Sequence, residues 1–554
     1  MRLGAFVAIA ILGLTPAASA DDDATQRAIG FIYSAEHGLA PAGSERQLVM
    51  VSGVGTGGFP VATTKPEAQA WFDQGMRLAH AFYHDDAKAA FKRAAGLDPT
   101  CAMCVWGQAW AAGPTLNFDI DAGEAKAAAA LADRAAALGA AEIPKNRALI
   151  AALKPRYARA DPAATDLAFA RAMDQIARRY PDDDEVAILA ADAWLIPWAQ
   201  HGDRQGLARS VALLQTVLKR SPDNTGAIHF YIHATEAAET PAIALPYAER
   251  LAALAPAASH LVHMASHTFF HVGRYEDAAL ANAQALAVDG AYLRAAHDGE
   301  PEGKVAYHGH DLRFGLAGAL AAGDGPLALR LAGHAAFAYP GAVADEGPGQ
   351  MVAAHAYVAY GRFAPDRALA LPPAGKDAAF AEAMRHYARG EAFAAKADAA
   401  GLAAETAWLA HADTALATTP DYYRDAARAV IEIAQLTLKG RLAMLRGDPG
   451  AAAKAYRQAA AIQDDKLGGG AAGDPPPWWY PERRSLAAAL VAAGEPAQAA
   501  AEARKALKAW PAEPLTLQVL GQAEQASGDA AGAARDLAQA KAGWRGEVIA
   551  PARL

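Results

Sequence analysis

The chain has 554 residues, of which 53% are hydrophobic and 20% are charged, which excludes an intrinsically disordered protein and suffices for several packed units. Lysine and arginine number 51 against 60 aspartates and glutamates, and the net charge of -9 argues against binding to a nucleic-acid backbone. Alanine makes up about a quarter of the sequence. Because alanine favours helices over strands, the composition predicts an all-α protein.

The first twenty residues have the pattern of a secretory signal peptide. Arg2 supplies a positive charge, residues 5–14 are apolar, and residues 18–20 provide the small side chains of a cleavage site. The apolar run is too short to span a bilayer, and no later stretch reaches about 18 uninterrupted apolar residues. We therefore predict a signal peptide at 1–20, a periplasmic or secreted protein, and no membrane span.

Residues 21–62 are aperiodic and are predicted to form an N-terminal arm or cap. Farther along, Gly494 and Gly528 open similar alanine-rich segments 34 residues apart, and Pro222 and Pro256 are separated by the same interval. A helix–turn–helix unit of 34 residues is the tetratricopeptide (TPR) period. The sequence thus predicts a TPR-like α-solenoid of stacked helix pairs that forms a curved superhelix with a concave groove. Its main part, with a histidine-lined groove, is predicted at 63–440, and C-terminal TPR repeats are predicted at 441–554.

Cys101 and Cys104 are the two cysteines of the chain and follow Asp98 and Pro99, where a helix is expected to begin. A C-x-x-C pair at a helix start suits a structural disulfide, a redox disulfide whose first thiol has a lowered pKa, or half of a metal site. No βαβ pattern surrounds the pair, which disfavours a thioredoxin fold. The three roles remain open at the level of sequence.

Histidine is concentrated in one part of the chain, since nine of its 17 histidines lie between His229 and His310. His229 and His233 are spaced i,i+4, and so are His263 and His267, which puts each pair on one face of a helix. The second pair follows the first by 34 residues, so the pairs occupy equivalent positions in adjacent repeats, whose helices pack about 8–10 Å apart. Histidines paired in this way are typical ligands of Zn²⁺ or Cu²⁺. The alternative is a hydrogen-bonded or solvated polar layer between helices.

Further residues extend this prediction. His260 lies on the same stripe one turn earlier, and His308 and His310 begin what the pattern indicates as the next repeat. Glu236 follows His233 by one turn and is a candidate orienting residue or general base. His80 and His84 form another i,i+4 pair far upstream. The predicted metal ligands are His229, His233, His260, His263, His267, His308 and His310.

Two classes of function fit these residues. With an open coordination position, copper or zinc would serve as redox centre or Lewis acid on a small substrate, giving a metal-dependent oxidoreductase or hydrolase. The competing prediction is a metal-free scaffold that binds a peptide or protein partner in the groove. Metal carriage without catalysis is a third possibility.

Several segments resemble a family of large, exported bacterial TPR proteins. They are 98–107 (DPTCAMCVWG), 231–233 (YIH), 260–267 (HLVHMASH), 307–310 (YHGH) and 476–481 (PPWWYP). The resemblance covers about residues 65–545 and implies a TPR fold and export, but no particular reaction. The chain departs from the family at Ala265, where proline is usual, and at His271, where arginine is frequent.

Overall fold

The computed structural model describes residues 47–158, 160–296, 299, 302–339, 347–374, 378–412, 421–468, 475–547 and 549. The predicted signal peptide and residues 21–46 of the predicted arm lie outside this part of the chain. The described residues fall into two compact units, the first drawn from 47–268 and 292–299 and the second from 269–291 and 302–549. The predicted domain boundaries at 62/63 and 440/441 do not coincide with this division and stay predictions.

Among the described residues, the first unit contains the last residues of a helix that is described with the second unit, together with eleven complete α-helices and the first residues of a twelfth. They are α1 (Pro66–His80), α2 (His84–Leu97), α3 (Ala102–Ala111), α4 (Ala122–Leu138), α5 (Pro144–Arg156), α6 (Pro162–Arg179), α7 (Asp184–His201), α8 (Leu207–Arg220), α9 (Thr225–Ala237), α10 (Leu245–Leu254), α11 (Ser259–His263) and α12 (Ala265–His271). Short 3₁₀ turns cover Gly139–Ala141 and Pro241–Ala244.

The remaining helices lie wholly or mostly in the second unit. They are α13 (Tyr275–Ala295), α14 (His308–Ala322), α15 (Gly325–Ala338), α16 (Gly347–Phe363), α17 (Pro365–Leu369), α18 (Ala379–Ala395), α19 (Ala399–Leu409), α20 (Asp421–Leu445), α21 (Pro449–Lys466), α22 (Glu482–Ala492), α23 (Pro496–Ala509), α24 (Pro514–Ala526) and α25 (Ala530–Gly543). A 3₁₀ turn at Glu302–Lys304 precedes α14.

Helices stack in sequence order within each unit. Most helices pack against the next one along the chain, and several also contact the helix after that, as α1 does with α3 and α22 with α24. The starts of α9 and α11, Thr225 and Ser259, are 34 residues apart, and so are the starts of α23 and α25. Helices make up all the regular elements of the described residues. The predicted all-α, TPR-like solenoid of stacked helix pairs is therefore confirmed within each unit.

Local chemistry explains where these helices begin and end. Asn224 caps α9, because its side-chain oxygen accepts a hydrogen bond from the amide of Ala227 at 2.9 Å. The glycines of the repeat motif, Gly494 and Gly528, have φ angles of 77° and 86° and end α22 and α24 in the left-handed conformation that glycine tolerates best. No described helix is long and apolar enough to cross a membrane.

Candidate metal centre

Three of the predicted ligands meet in the first unit. His229 and His233 on α9 and His260 on α11 each offer a ligand atom, and these atoms all lie within 4.8 Å of one another. The Nε2 atoms of His229 and His260 are 3.2 Å apart. Two nitrogens bound to one tetrahedral Zn²⁺ are about 3.3 Å apart, given Zn–N bonds of about 2.0–2.1 Å. The observed spacing therefore fits two ligands of a single ion.

A second group shares His233 with the first. His233, Glu236 and His267 also offer ligand atoms within 4.8 Å of one another. His263 adjoins this group, with its Nε2 atom 2.9 Å from the Nε2 atom of His267. The two i,i+4 pairs thus converge as the 34-residue spacing predicts, and His260 joins them.

One local detail differs from the sequence prediction. His263 and His267 do not share one uninterrupted helix, because α11 ends at His263 and α12 begins at Ala265. Met264 between them keeps a right-handed helical backbone, with φ -53° and ψ -29°. The chain direction is therefore preserved across the break, and the two imidazoles remain neighbours.

Hydrogen bonds on the far side of two imidazoles orient them toward the cluster. His229 donates from Nδ1 to the backbone carbonyl of His80 at 2.6 Å, and His267 donates from Nδ1 to the Glu236 carboxylate at 3.0 Å. With the proton on Nδ1, each ring directs the Nε2 lone pair into the cluster. Metal-binding histidines are held by such partners, which fix the tautomer and raise the basicity of the ligand nitrogen. Glu236, predicted as orienting residue or base, is placed here as the partner of His267.

Phe82 packs against all three imidazoles of the first group. Its ring centroid lies 4.4 Å from that of His229, 4.9 Å from that of His260 and 5.8 Å from that of His233. Phe82 has a φ of 59°, a left-handed conformation that is uncommon for an aromatic residue and is maintained only by surrounding packing. Strained residues of this kind concentrate at functional sites.

The cluster is buried, with His229, His263, His267 and His260 no more than 3% exposed. His233 and Glu236 are partly exposed and form its accessible side. Burial, reinforced by the neighbouring His233, lowers the pKa of His229 well below its usual value. His229 is thus held as the neutral imidazole, which is the form that binds metals.

The two remaining predicted ligands lie in the second unit, on α14. His308 is fully buried, and its Nε2 atom is 3.1 Å from that of His334 on α15. His310 is partly buried, with its ring centroid 5.6 Å from that of Phe314. The structure therefore gives His308 a neighbour, His334, that lies outside the predicted set.

Cys101 and Cys104 form a disulfide in the structure. Cys101 precedes α3 and its sulfur accepts a hydrogen bond from the amide of Cys104 at 3.2 Å, so a helix begins where the sequence predicts. Both residues are completely buried. Whether this disulfide is structural or redox-active stays a prediction.

The upstream histidines are arranged differently from the sequence prediction. His80 ends α1 and His84 begins α2, so they do not form an i,i+4 pair on one helix; the intervening turn contains Phe82 with its positive φ. The side chain of His80 donates from Nε2 to Glu185, while its backbone carbonyl receives the hydrogen bond of His229. Sequence reasoning missed this contact, because a carbonyl that lies 149 residues away carries no sequence signal.

Comparisons with known proteins give only distant structural similarities. No family model matches the chain, and no curated protein matches it. The solved structure of the human IFIT1 dimer with m7Gppp-AAAA is 11% identical, covers 95% of this chain and 96% of its own, and has a TM-score of 0.30. The Cut9–Hcn1 hetero-tetramer of APC/C is 11% identical, with coverage of 84% and 78% and a TM-score of 0.29. The P58(IPK) TPR domain is 13% identical, with coverage of 63% and 91% and a TM-score of 0.20.

These values are too low to transfer a function from any of these proteins. They also leave untested the expectation that this chain binds no nucleic acid. It stays a prediction from charge alone.

Proposed function

We propose that the protein is an exported metal-binding TPR-like protein that holds one transition-metal ion on His229, His233 and His260. The observation that carries the proposal is the convergence of these three imidazoles, with His229 and His260 at ligand spacing and Phe82 packed over all three. An all-nitrogen set suits Cu²⁺ and Zn²⁺, and Cu²⁺ is expected to bind more tightly. His267, oriented by Glu236, lies beside the set and shares His233 with it.

Three protein ligands leave one position of a tetrahedral ion for water or substrate, as in catalytic zinc sites. His233 and Glu236 are partly exposed, so a small molecule would approach the ion past these two side chains. Glu236 accepts a hydrogen bond from His267, and as a carboxylate it would be suited to serve as a general base if a bound metal supplied Lewis-acid chemistry. This part of the proposal extends metal binding to a metal-dependent oxidoreductase or hydrolase. Export is proposed from the N-terminal sequence pattern and agrees with a disulfide, which persists in oxidising compartments.

The test is elemental analysis of untagged protein after titration with Cu²⁺ or Zn²⁺ and removal of unbound metal. His233→Gln is the sharpest variant, because His233 belongs to both groups of the first unit and is partly exposed. We expect this variant to lose one equivalent of metal relative to the unaltered protein. The matched control is His271→Gln on α12, which removes a histidine that belongs to neither group.

A double variant, His263→Gln with His267→Gln, separates the two groups. We expect it to keep the ion of the first unit, since His229, His233 and His260 are intact; loss of that ion would move the site to His233, Glu236 and His267. If His233→Gln and His271→Gln hold the same amount of metal as the unaltered protein, the proposal is wrong. The metal-free scaffold with a peptide or protein partner would then be the remaining prediction.

A further inference from the structure

The second unit contains a separate cluster of potential metal ligands. Glu302 lies in the 3₁₀ turn before α14, His308 begins α14, and His334 lies on α15. Their ligand atoms are all within 4.8 Å of one another. We propose that Glu302, His308 and His334 bind a second divalent transition-metal ion, independent of the site in the first unit.

The spacing of the donor atoms fits a single ion. The Nε2 atom of His334 lies 3.1 Å from Nε2 of His308 and 3.4 Å from Oε2 of Glu302. Ligands of a tetrahedral ion with bonds of about 2.0–2.2 Å are separated by about 3.3–3.5 Å. Both measured distances are close to that value. Two imidazoles and one carboxylate form the His₂Glu set that holds zinc in catalytic sites, and the same types of ligand bind iron(II) in the 2-His-1-carboxylate triad.

Asp289 on α13 positions His308 for this role. His308 donates from Nδ1 to Oδ2 of Asp289 at 2.9 Å, so Nε2 carries the lone pair that points to His334 and the proposed ion. This carboxylate–histidine arrangement accompanies most metal-bound histidines. The other carboxylate oxygen of Asp289, Oδ1, is buried without a hydrogen-bond partner in the described part of the chain. Asp289 acts through His308 and is not itself a proposed ligand.

Burial and charge favour a cation at this position. Asp289, His308 and His334 are 0% exposed and Glu302 is 1% exposed. Two carboxylates buried beside two imidazoles bring negative charge into the interior, where charge is costly unless it is compensated. A divalent cation held between Glu302 and the imidazoles would compensate it.

The backbone at this cluster is also unusual. Tyr307, immediately before His308, has a φ of 68°, in the left-handed region that residues with a side chain rarely adopt. His308, the first residue of α14, contacts Asp289 of α13 and His334 of α15. Phe82 has the same property at the first site, so each cluster adjoins a strained aromatic residue.

The experiment measures the zinc and cobalt content of the full-length protein in four forms: unaltered, Glu302→Gln, His334→Gln, and His233→Gln. We expect both second-unit variants to lose one equivalent of metal and to keep the ion of the first unit, while His233→Gln shows the converse. Combining His233→Gln with Glu302→Gln should leave no tightly bound ion. Circular dichroism of each variant verifies that it is folded.

The visible absorption spectrum of bound Co²⁺ distinguishes the two sites independently of the total metal content. A Co²⁺ ion with a carboxylate among its ligands has visible absorption that differs from that of an all-imidazole ion, so the spectra of His233→Gln and Glu302→Gln should differ. Asp289→Asn should keep the stoichiometry but weaken metal affinity by about 10–100-fold, because it alters only the orienting partner. His355→Gln, which removes a buried histidine outside all the ligand groups of the described residues, is the control.

Two results would overturn the proposal. One is a folded Glu302→Gln or His334→Gln variant that holds as much metal as the unaltered protein. The other is metal content that falls only with His233→Gln; Nε2 of His334 would then simply donate a hydrogen bond to His308. If only Glu302→Gln and His334→Gln lose metal and His233→Gln does not, the proposed site of the first unit is wrong and that of the second unit stands.

Discussion

Two kinds of surroundings occur among the buried histidines of the described residues. His229, His267 and His308 each donate from Nδ1 to a carbonyl or carboxylate and direct Nε2 toward another imidazole. His355 on α16 is different: it donates from Nδ1 to the carbonyl of Met351 at 3.1 Å and adjoins a cavity of about 10 Å³ with aromatic and methionine side chains in its wall. The first kind is suited to binding a metal, whereas the second is a structural residue of the core.

His355 should make the stability of the protein depend on pH. Burial, with a smaller contribution from Arg313, lowers the pKa of His355 to about 4. An unfolded histidine has a pKa of about 6.5, so between these values the unfolded chain binds the proton that the folded chain excludes. The free energy of unfolding must therefore decrease as the pH falls from 6.5 toward 4.

The measurement is urea unfolding, followed by circular dichroism, at pH 7 and at pH 4.5. The loss of unfolding free energy between these values should be about 2 kcal/mol smaller in His355→Gln than in the unaltered protein, since glutamine does not titrate. All other titrating groups are common to both proteins and cancel in the comparison. An identical pH dependence in the two proteins would contradict the prediction.

The helical repeat depends on how each helix ends. Gly494 follows α22 with a φ of 77°, and a Cβ atom added there would meet no atom within 4 Å. Gly333 lies inside α15 and would also meet no atom within 4 Å. The two glycines therefore differ in backbone conformation and not in available space.

Alanine at these two positions should have opposite effects. Gly494→Ala should destabilise the protein by about 1 kcal/mol, because a left-handed backbone is unfavourable for a residue with a Cβ atom. Gly333→Ala should stabilise it by about 0.5–1 kcal/mol, because alanine is the better residue inside a helix. Chemical denaturation of both variants gives the two changes in unfolding free energy. Changes of the same sign would show that helix termination is not what Gly494 contributes.

The sequence predicts helices and repeat spacing well because both depend on local pattern. The 34-residue interval places His229 and His263 at corresponding points of α9 and α11, and their convergence follows from how adjacent repeats pack. The second cluster is different, because Asp289, Glu302 and His334 come from separate elements with no common spacing. These residues come together only through tertiary packing, and no pattern in a single sequence indicates that packing.

Each compact unit contains its own candidate ligands. In the first unit the proposed ligands are His229, His233 and His260, of which His233 is partly exposed. In the second unit Glu302, His308 and His334 are all buried. A chelator must wait for an enclosed site to open before it can remove the ion. The ion of the second unit should therefore exchange more slowly than that of the first.

Hydrogen exchange of the full-length chain, saturated with Zn²⁺ or treated with a chelator, tests both sites in one measurement. An ion that binds only the folded state at a free concentration of 100 times its dissociation constant adds about 2.7 kcal/mol of stability. Chelation should therefore increase exchange around α9 and α11, and more slowly around α14 and α15. In His233→Gln only α14 and α15 should respond, and in Glu302→Gln only α9 and α11. A response of all four helices that is unchanged by either substitution would mean that zinc stabilises the chain at neither site.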